Sequence, residues 1–160
     1  MSEKKFIDVA CDVLNDSAQK NVLDFATFLQ ANDILPEIVG DTLWKAEHKG
    51  NCICYIHIDG AEQKPGPWTV WPDGDYSSEP KGFMIDGPTK EFAWEHANIC
   101  GSCGGSCSPG KPATIFGKEF HNICNSVFAF NNPNGEALEC LKKLIEIRKR
   151  AIQIEVNNDQ

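Results

Sequence analysis

The chain has 160 residues, enough for one domain that buries roughly 70% of its unfolded surface. With 41% hydrophobic and 24% charged residues, its composition excludes a disordered or fibrous chain. A formal net charge of −8 argues against general binding to nucleic acid or anionic membranes, both of which are contacted through clustered Lys and Arg.

At the N-terminus, Phe6, Val9, Ala10 and Val13 recur at three- and four-residue spacing and predict a helix over residues 3–14. Asp8 and Asp12 break the apolar continuity that a signal peptide needs. No run approaches the roughly 18 apolar residues of a membrane span, so the expected location is the cytoplasm. Asp16 followed by Gln19 resembles a capping box opening a second helix, whose stripe is Val22, Phe25, Ala26 and Leu29. Asn32, Asp33 and Pro36 end it.

From Thr42 the period becomes two. The run from Cys52 to Ile58 predicts a central strand, with Cys52, Cys54, Ile56 and Ile58 on one face and Ile53, Tyr55 and His57 on the other. The turn His48-Lys49-Gly50-Asn51 pairs it with a strand over Leu43–Glu47. A third strand, Trp68–Trp71, stops at Pro72-Asp73-Gly74. Links this short allow only an antiparallel meander. Trp68 and Trp71 fall on opposite faces, so one of them is covered by a helix or lines a ligand cleft. His48, in the turn, and His57, on the outer strand face, are expected to be solvated or hydrogen-bonded rather than catalytic.

Residues 75–86 are weakly patterned, with a short strand at Gly82–Ile85. Gly87-Pro88-Thr89 starts a helix running to about Asn98, because Pro at the first helical position forfeits an amide that has no partner there. A hairpin over Thr114–Phe120 leads to His121 and Cys124, and Val127, Phe128 and Phe130 predict one more buried strand. Pro133-Asn134 caps a long final helix with Leu138, Leu141, Leu144, Ile145 and Ile152 as its stripe, acids early and bases late. The tail is expected to fray after Glu155. The expected fold is α+β: one domain over 1–160 with N-terminal helices, a central antiparallel sheet, a Cys-rich knuckle over 98–125 and a long C-terminal helix.

That knuckle is the most unusual segment. In a reducing compartment eight cysteines point to metal ligation, redox chemistry or buried thiols rather than disulfides. Cys100 and Cys103 have the two-residue separation that chelates one zinc ion from a tight turn, and the intervening and following glycines let the backbone turn with its amides aimed at the sulfurs. Cys107 and Cys124 supply the other two ligands, with His121 as the alternative fourth and His96 behind it. The competing reading is a set of free thiols in a glycine-rich loop. An iron–sulfur cluster fits less well than zinc, because the Cys100–Cys107 run lacks one cysteine of the ferredoxin pattern. A deaminase site is rejected: His57-Ile58-Asp59 carries the wrong acid, and Ile99 stands where proline belongs. Cys52, Cys54, Cys11 and Cys140 read as core residues.

The expected function is a zinc-stabilised, non-enzymatic module that binds a partner protein or a small molecule. The alternative is an enzyme using Cys100, Cys103 and Cys107, by thiol exchange or at an open metal site assisted by Glu95, His96 or His121. Oligomerisation through the C-terminal helix is compatible with either.

Overall fold

The computed structural model describes residues 6–14, 16–40, 42–58, 68–77, 84–99 and 111–158; of residues 16, 124–126 and 154–158 it describes the backbone alone. Helices α1 (Phe6–Val13) and α2 (Asp16–Ala31) are followed by strands β1 (Leu35–Ile38), β2 (Leu43–His48), β3 (Asn51–Ile58) and β4 (Trp68–Pro72). Then come α3 (Gly87–Glu95), β5 (Ala97–Ile99), β6 (Lys111–Ile115), β7 (Lys118–Phe128), β8 (Phe130–Asn131) and α4 (Gly135–Asn158). Two antiparallel sheets result: a five-stranded sheet A in the order β1-β2-β3-β4-β8, and a three-stranded sheet B in the order β5-β7-β6. The fold is therefore α+β, with β3 central in sheet A as its alternation predicts. Among the described residues no helix is long and apolar enough to cross a membrane.

The helical stripes bury most of their residues, except that in α1 Val9 is only half-buried and Val13 is exposed. Phe6, Ala10, Val22, Phe25 and Leu29 are buried from α1 and α2, and Leu138, Leu141, Leu144, Ile145 and Ile152 from α4. They cover the face of sheet A that carries Trp44, Ile56, Trp68 and Val70. Each fully buried side chain of this size contributes about 1.5–3 kcal/mol. Phe6 meets Trp44 edge-on at 5.6 Å and Phe25 meets Trp68 at 5.9 Å. Lys142 of α4 pairs with Asp24 of α2 at 2.8 Å. Trp71, on the opposite face of sheet A from Trp68, is half-buried beside His57 at 6.4 Å.

Several local details depart from the sequence expectations. The helix α2 starts at Asp16, and the Gln19 side-chain amide donates to the carbonyls of Cys11 and Leu14 at the α1–α2 junction; the Asp16 side chain of the expected capping box lies outside the described residues. The helix ends in a Schellman motif, with Asp33 at φ 59° and the Ile34 amide donating to the Leu29 carbonyl at 2.9 Å. The strand β1 follows at once. It was not expected because it contains Pro36, yet Pro36 is accommodated: the Val39 amide donates to Leu43, so the alternation turns residue 36 away from β2, where no amide is needed on an edge strand. The β2–β3 hairpin turns through Lys49 and Gly50 at φ 52° and 80°, a type I′ geometry. His48 at its end is buried and hydrogen-bonded, with Nδ1 3.2 Å from the Asp33 carbonyl.

A bulge changes the reading of the cysteines. Ala46 pairs with Cys54 and Glu47 with Cys52, which leaves Ile53 as an extra residue in β3. Ile53 and Cys54 are fully buried while Cys52 is only half-buried. The bulge carbonyls find partners from elsewhere: Arg148 Nε of α4 donates to Cys52 at 3.0 Å, and the Asp73 amide donates to Ile53 at 2.8 Å. Arg148 also lies 3.8 Å from the Asp73 carboxylate, and it packs against Gly74, where a Cβ would come within 2.7 Å of Arg148 Cδ. Arg148→Met keeps most of the packed stem but strands a carbonyl, so a loss of about 1.5–3 kcal/mol is expected in urea unfolding. A change below about 0.5 kcal/mol would show that the guanidinium does not hold the bulge.

Sheet B is attached through aromatic contacts. The Asp86 carboxylate caps α3 by accepting from the Thr89 amide, and the helix ends at Glu95 rather than near Asn98 because β5 begins at Ala97. Trp94 Nε1 donates to the Ile115 carbonyl at 2.7 Å, and Lys118 Nζ lies 5.1 Å over its ring. Tyr76 packs edge-on against Phe128 at 5.0 Å and Phe116 at 6.2 Å. The β6–β7 hairpin is as predicted, turning at Phe116 and Gly117 with φ 47° and 85°. The strand beyond it is continuous from Lys118 to Phe128, after which Ala129 hands the chain to β8 in sheet A. Residues 84 and 85 are not strand, and 82 and 83 lie outside the described residues. The helix α4 continues past Glu155 to Asn158.

Candidate functional site

The frame of the candidate metal site is sheet B. Cys100, Cys103 and Cys107 lie outside the described residues, and of Cys124 only the backbone is described. What is described is where the Cys-rich segment leaves and rejoins the fold. Ile99, the last residue of β5, pairs with Ile123 of β7; Lys111, the first residue of β6, pairs with the same Ile123. Residues 100–110 therefore start and finish on either side of one position of the central strand, two strand spacings or about 10 Å apart. Cys124 is the next residue after that position.

The strand β7 is irregular on both sides of Ile123. Toward β5 the register passes from Ala97↔Phe128 to Ile99↔Ile123, so residues 124–127 of β7 face the single residue Asn98. Toward β6 it passes from Lys111↔Ile123 to Ala113↔Phe120, so His121 and Asn122 face the single residue Pro112. Bulges of this kind re-aim side chains and recur beside functional sites. The two candidate fourth ligands, Cys124 and His121, thus occupy the two irregular stretches flanking a buried Ile123, and the His121 side chain is exposed.

His96, the weaker ligand candidate, is more constrained than its sequence position suggests. Its ring stacks between Phe92 and Phe130 at 5.1 and 4.5 Å, and Nδ1 lies 3.0 Å from the Phe92 carbonyl. Because a carbonyl only accepts, Nδ1 carries the proton and Nε2 of the neutral ring is the acceptor, the tautomer that suits a base or a metal ligand. Together with Glu95, Asn98, Ile99 and Asn131 it lines a polar cavity of about 400 Å³. Phe92 lies one helical turn before His96, but the stacking against Phe130 has no local signature, since that ring comes from β8 of sheet A.

Of the cysteines outside the knuckle, Cys54 and Cys140 are buried core residues, Cys52 is half-buried, and Cys11 is exposed, because it lies outside the buried stripe of Phe6 and Ala10. Burial raises the thiol pKa of Cys54 far above its usual range and pushes Cys140 up to about 12. In Cys52, too, burial raises the thiol, with the Asp73 carboxylate acting in the same direction. Thiols so shifted are poor nucleophiles. Among the described residues no group of three or more His, Cys, Asp or Glu side chains is gathered closely enough to hold a metal ion. No protein-family model matches the chain, nor does any curated protein or solved structure.

Proposed function

We propose that the chain is a zinc-stabilised, non-enzymatic binding module in which Cys100, Cys103, Cys107 and Cys124 hold a structural zinc ion, with His121 as the alternative fourth ligand. One observation carries the reading: both ends of the Cys-rich segment meet β7 at Ile123, between the irregular stretches that contain His121 and Cys124. Thiolate ligands at about 2.3 Å from one ion lie within about 4 Å of each other. A segment anchored at both ends beside Cys124 has the reach to gather such a set. The donor chemistry, thiolate with an imidazole in reserve, suits zinc.

Bound zinc would supply cross-linking and no chemistry, fastening the segment to all three strands of sheet B. Cys103→Ser is then expected to abolish stoichiometric zinc, speed amide exchange at 97–99 and 111–123, and lower the melting temperature by about 5 °C. Unchanged melting after complete metal loss would remove the structural role. Cys124→Ser should release the metal while His121→Ala retains it; the reverse pattern would make His121 the fourth ligand.

A second reading, an open metal site with a water-occupied position, is favoured by His96, whose acceptor nitrogen belongs to a ring lining the polar cavity that ends at Ile99, one residue before Cys100. X-ray absorption separates the two. Four sulfur neighbours, or three with one imidazole, indicate the closed structural site; an oxygen neighbour indicates the open one.

A further inference from the structure

Two aromatic rings at the β6–β7 hairpin share one cation. Lys118 and Phe120 alternate onto one face of β7, across from Ile115 and Ala113 of β6. Trp94 reaches the same end of the hairpin from α3, where its Nε1 donation to the Ile115 carbonyl at 2.7 Å anchors the indole. Lys118 Nζ lies 5.1 Å from the centre of the Trp94 ring and 5.6 Å from that of Phe120, both within the roughly 6 Å over which a ring face attracts a cation. The two rings are half-buried, whereas Lys118 is exposed. Its ammonium is a strongly hydrated point charge on a flexible stem, and an exposed contact of this kind contributes only about 0.5–1 kcal/mol.

We propose that Trp94 and Phe120 form a binding site for a small quaternary ammonium ion, and that Lys118 occupies the site until such an ion displaces it. A quaternary ammonium carries the same charge on a larger surface without N–H groups. It loses less hydration than the lysine on meeting a ring and adds methyl groups that pack against it, so it displaces the lysine readily. The net charge of −8 draws cations towards the chain and disfavours anions. A divalent metal ion is excluded as the ligand, because it needs oxygen, nitrogen or sulfur donors that two rings do not supply. An uncharged molecule of the same shape would touch the rings without the attraction of their quadrupoles. The proposal rests on the binding half of the function above, names the ligand class, and does not depend on the metal.

The test is a titration of the full chain with choline and, separately, with 3,3-dimethylbutan-1-ol, its uncharged isostere, at constant ionic strength, followed in the indole N–H region of a proton–nitrogen correlation spectrum. Choline is expected to shift the resonance that disappears in Trp94→Phe, leaving those of Trp44, Trp68 and Trp71 in place, and to bind about fivefold tighter than the alcohol. Lys118→Ala, which vacates the rings, is expected to tighten choline binding by a further factor of about two to five. Lys111→Ala removes the same charge from the same hairpin without freeing a ring, and is expected to leave the affinity where it was. Should Trp94→Phe not fold, Phe120→Ala removes the other ring and is expected to weaken choline binding about two- to fivefold. Equal affinities for choline and the alcohol, an unmoved Trp94 indole in Lys118→Ala, equal tightening in the two lysine variants, or undiminished binding in Phe120→Ala would overturn the proposal. Zinc content is read on the same sample. A metal-loaded chain that ignores choline defeats this inference alone, and a metal-free chain that binds it defeats the zinc reading alone.

Discussion

Tyr76→Ala is expected to destabilise the fold by about 3–5 kcal/mol, the largest effect of any single substitution considered. The ring is 2% exposed and packs edge-on against Phe116 and Phe128 of sheet B. Its hydroxyl reaches the Asp73 carbonyl at 3.0 Å and the Leu144 carbonyl of α4 at 3.4 Å. Its own carbonyl accepts from the Phe116 amide at 2.7 Å. One side chain therefore joins the end of sheet A, the long helix and sheet B. Tyr76→Phe keeps the packing and removes only the hydroxyl, so about 1 kcal/mol is expected for it. Urea unfolding followed by circular dichroism measures both. A cost for alanine near that for phenylalanine would mean that the ring is not the joint between the sheets.

Alkaline pH should unfold the protein through its buried thiols. Cys54 and Cys140 ionise near 9.0 when exposed, and burial holds both higher in the folded state, Cys140 to about 12. The folded chain thus keeps protons that the unfolded chain releases. Their contribution is fully present below about pH 9 and is lost as pH rises towards the folded values, at up to about 1.4 kcal/mol per pH unit for each thiol. Tyr76, also raised by burial, extends the decline above about pH 10. Melting temperatures between pH 8 and 11 should fall steeply, and the fall should be shallower in Cys54→Ala and Cys140→Ala, whatever their stability at pH 8. Parallel pH profiles in wild type and variants would show that these thiols do not govern the alkaline limb.

Legibility in the sequence followed the locality of the signal. The helical stripes, the β2–β3 hairpin with its Lys49-Gly50 turn and the placement of Trp68 and Trp71 on opposite faces were readable because each pattern is complete within a few residues. The strand β1 was hidden by Pro36, whose acceptability depends on which side of an edge strand it occupies. Ala97–Ile99 is too short to show alternation, and the Ile53 bulge leaves no mark in a run of alternating cysteines and isoleucines. Tyr76 sat in a weakly patterned stretch because its partners Phe116, Phe128 and Leu144 lie far along the chain. At the candidate metal site, the spacing of Cys100, Cys103 and Cys107 was visible from the start. The pairing of Ile99 and Lys111 with the same Ile123, and the irregular stretches of β7 around it, arise from strand register and had no local signature.

The most direct test of the zinc reading is elemental analysis together with an absorbance spectrum, on protein purified without added metal or a metal-binding tag. One zinc per chain in a colourless sample is the predicted result. Iron with visible absorption, or a metal-free chain with readily titrated thiols, would contradict it.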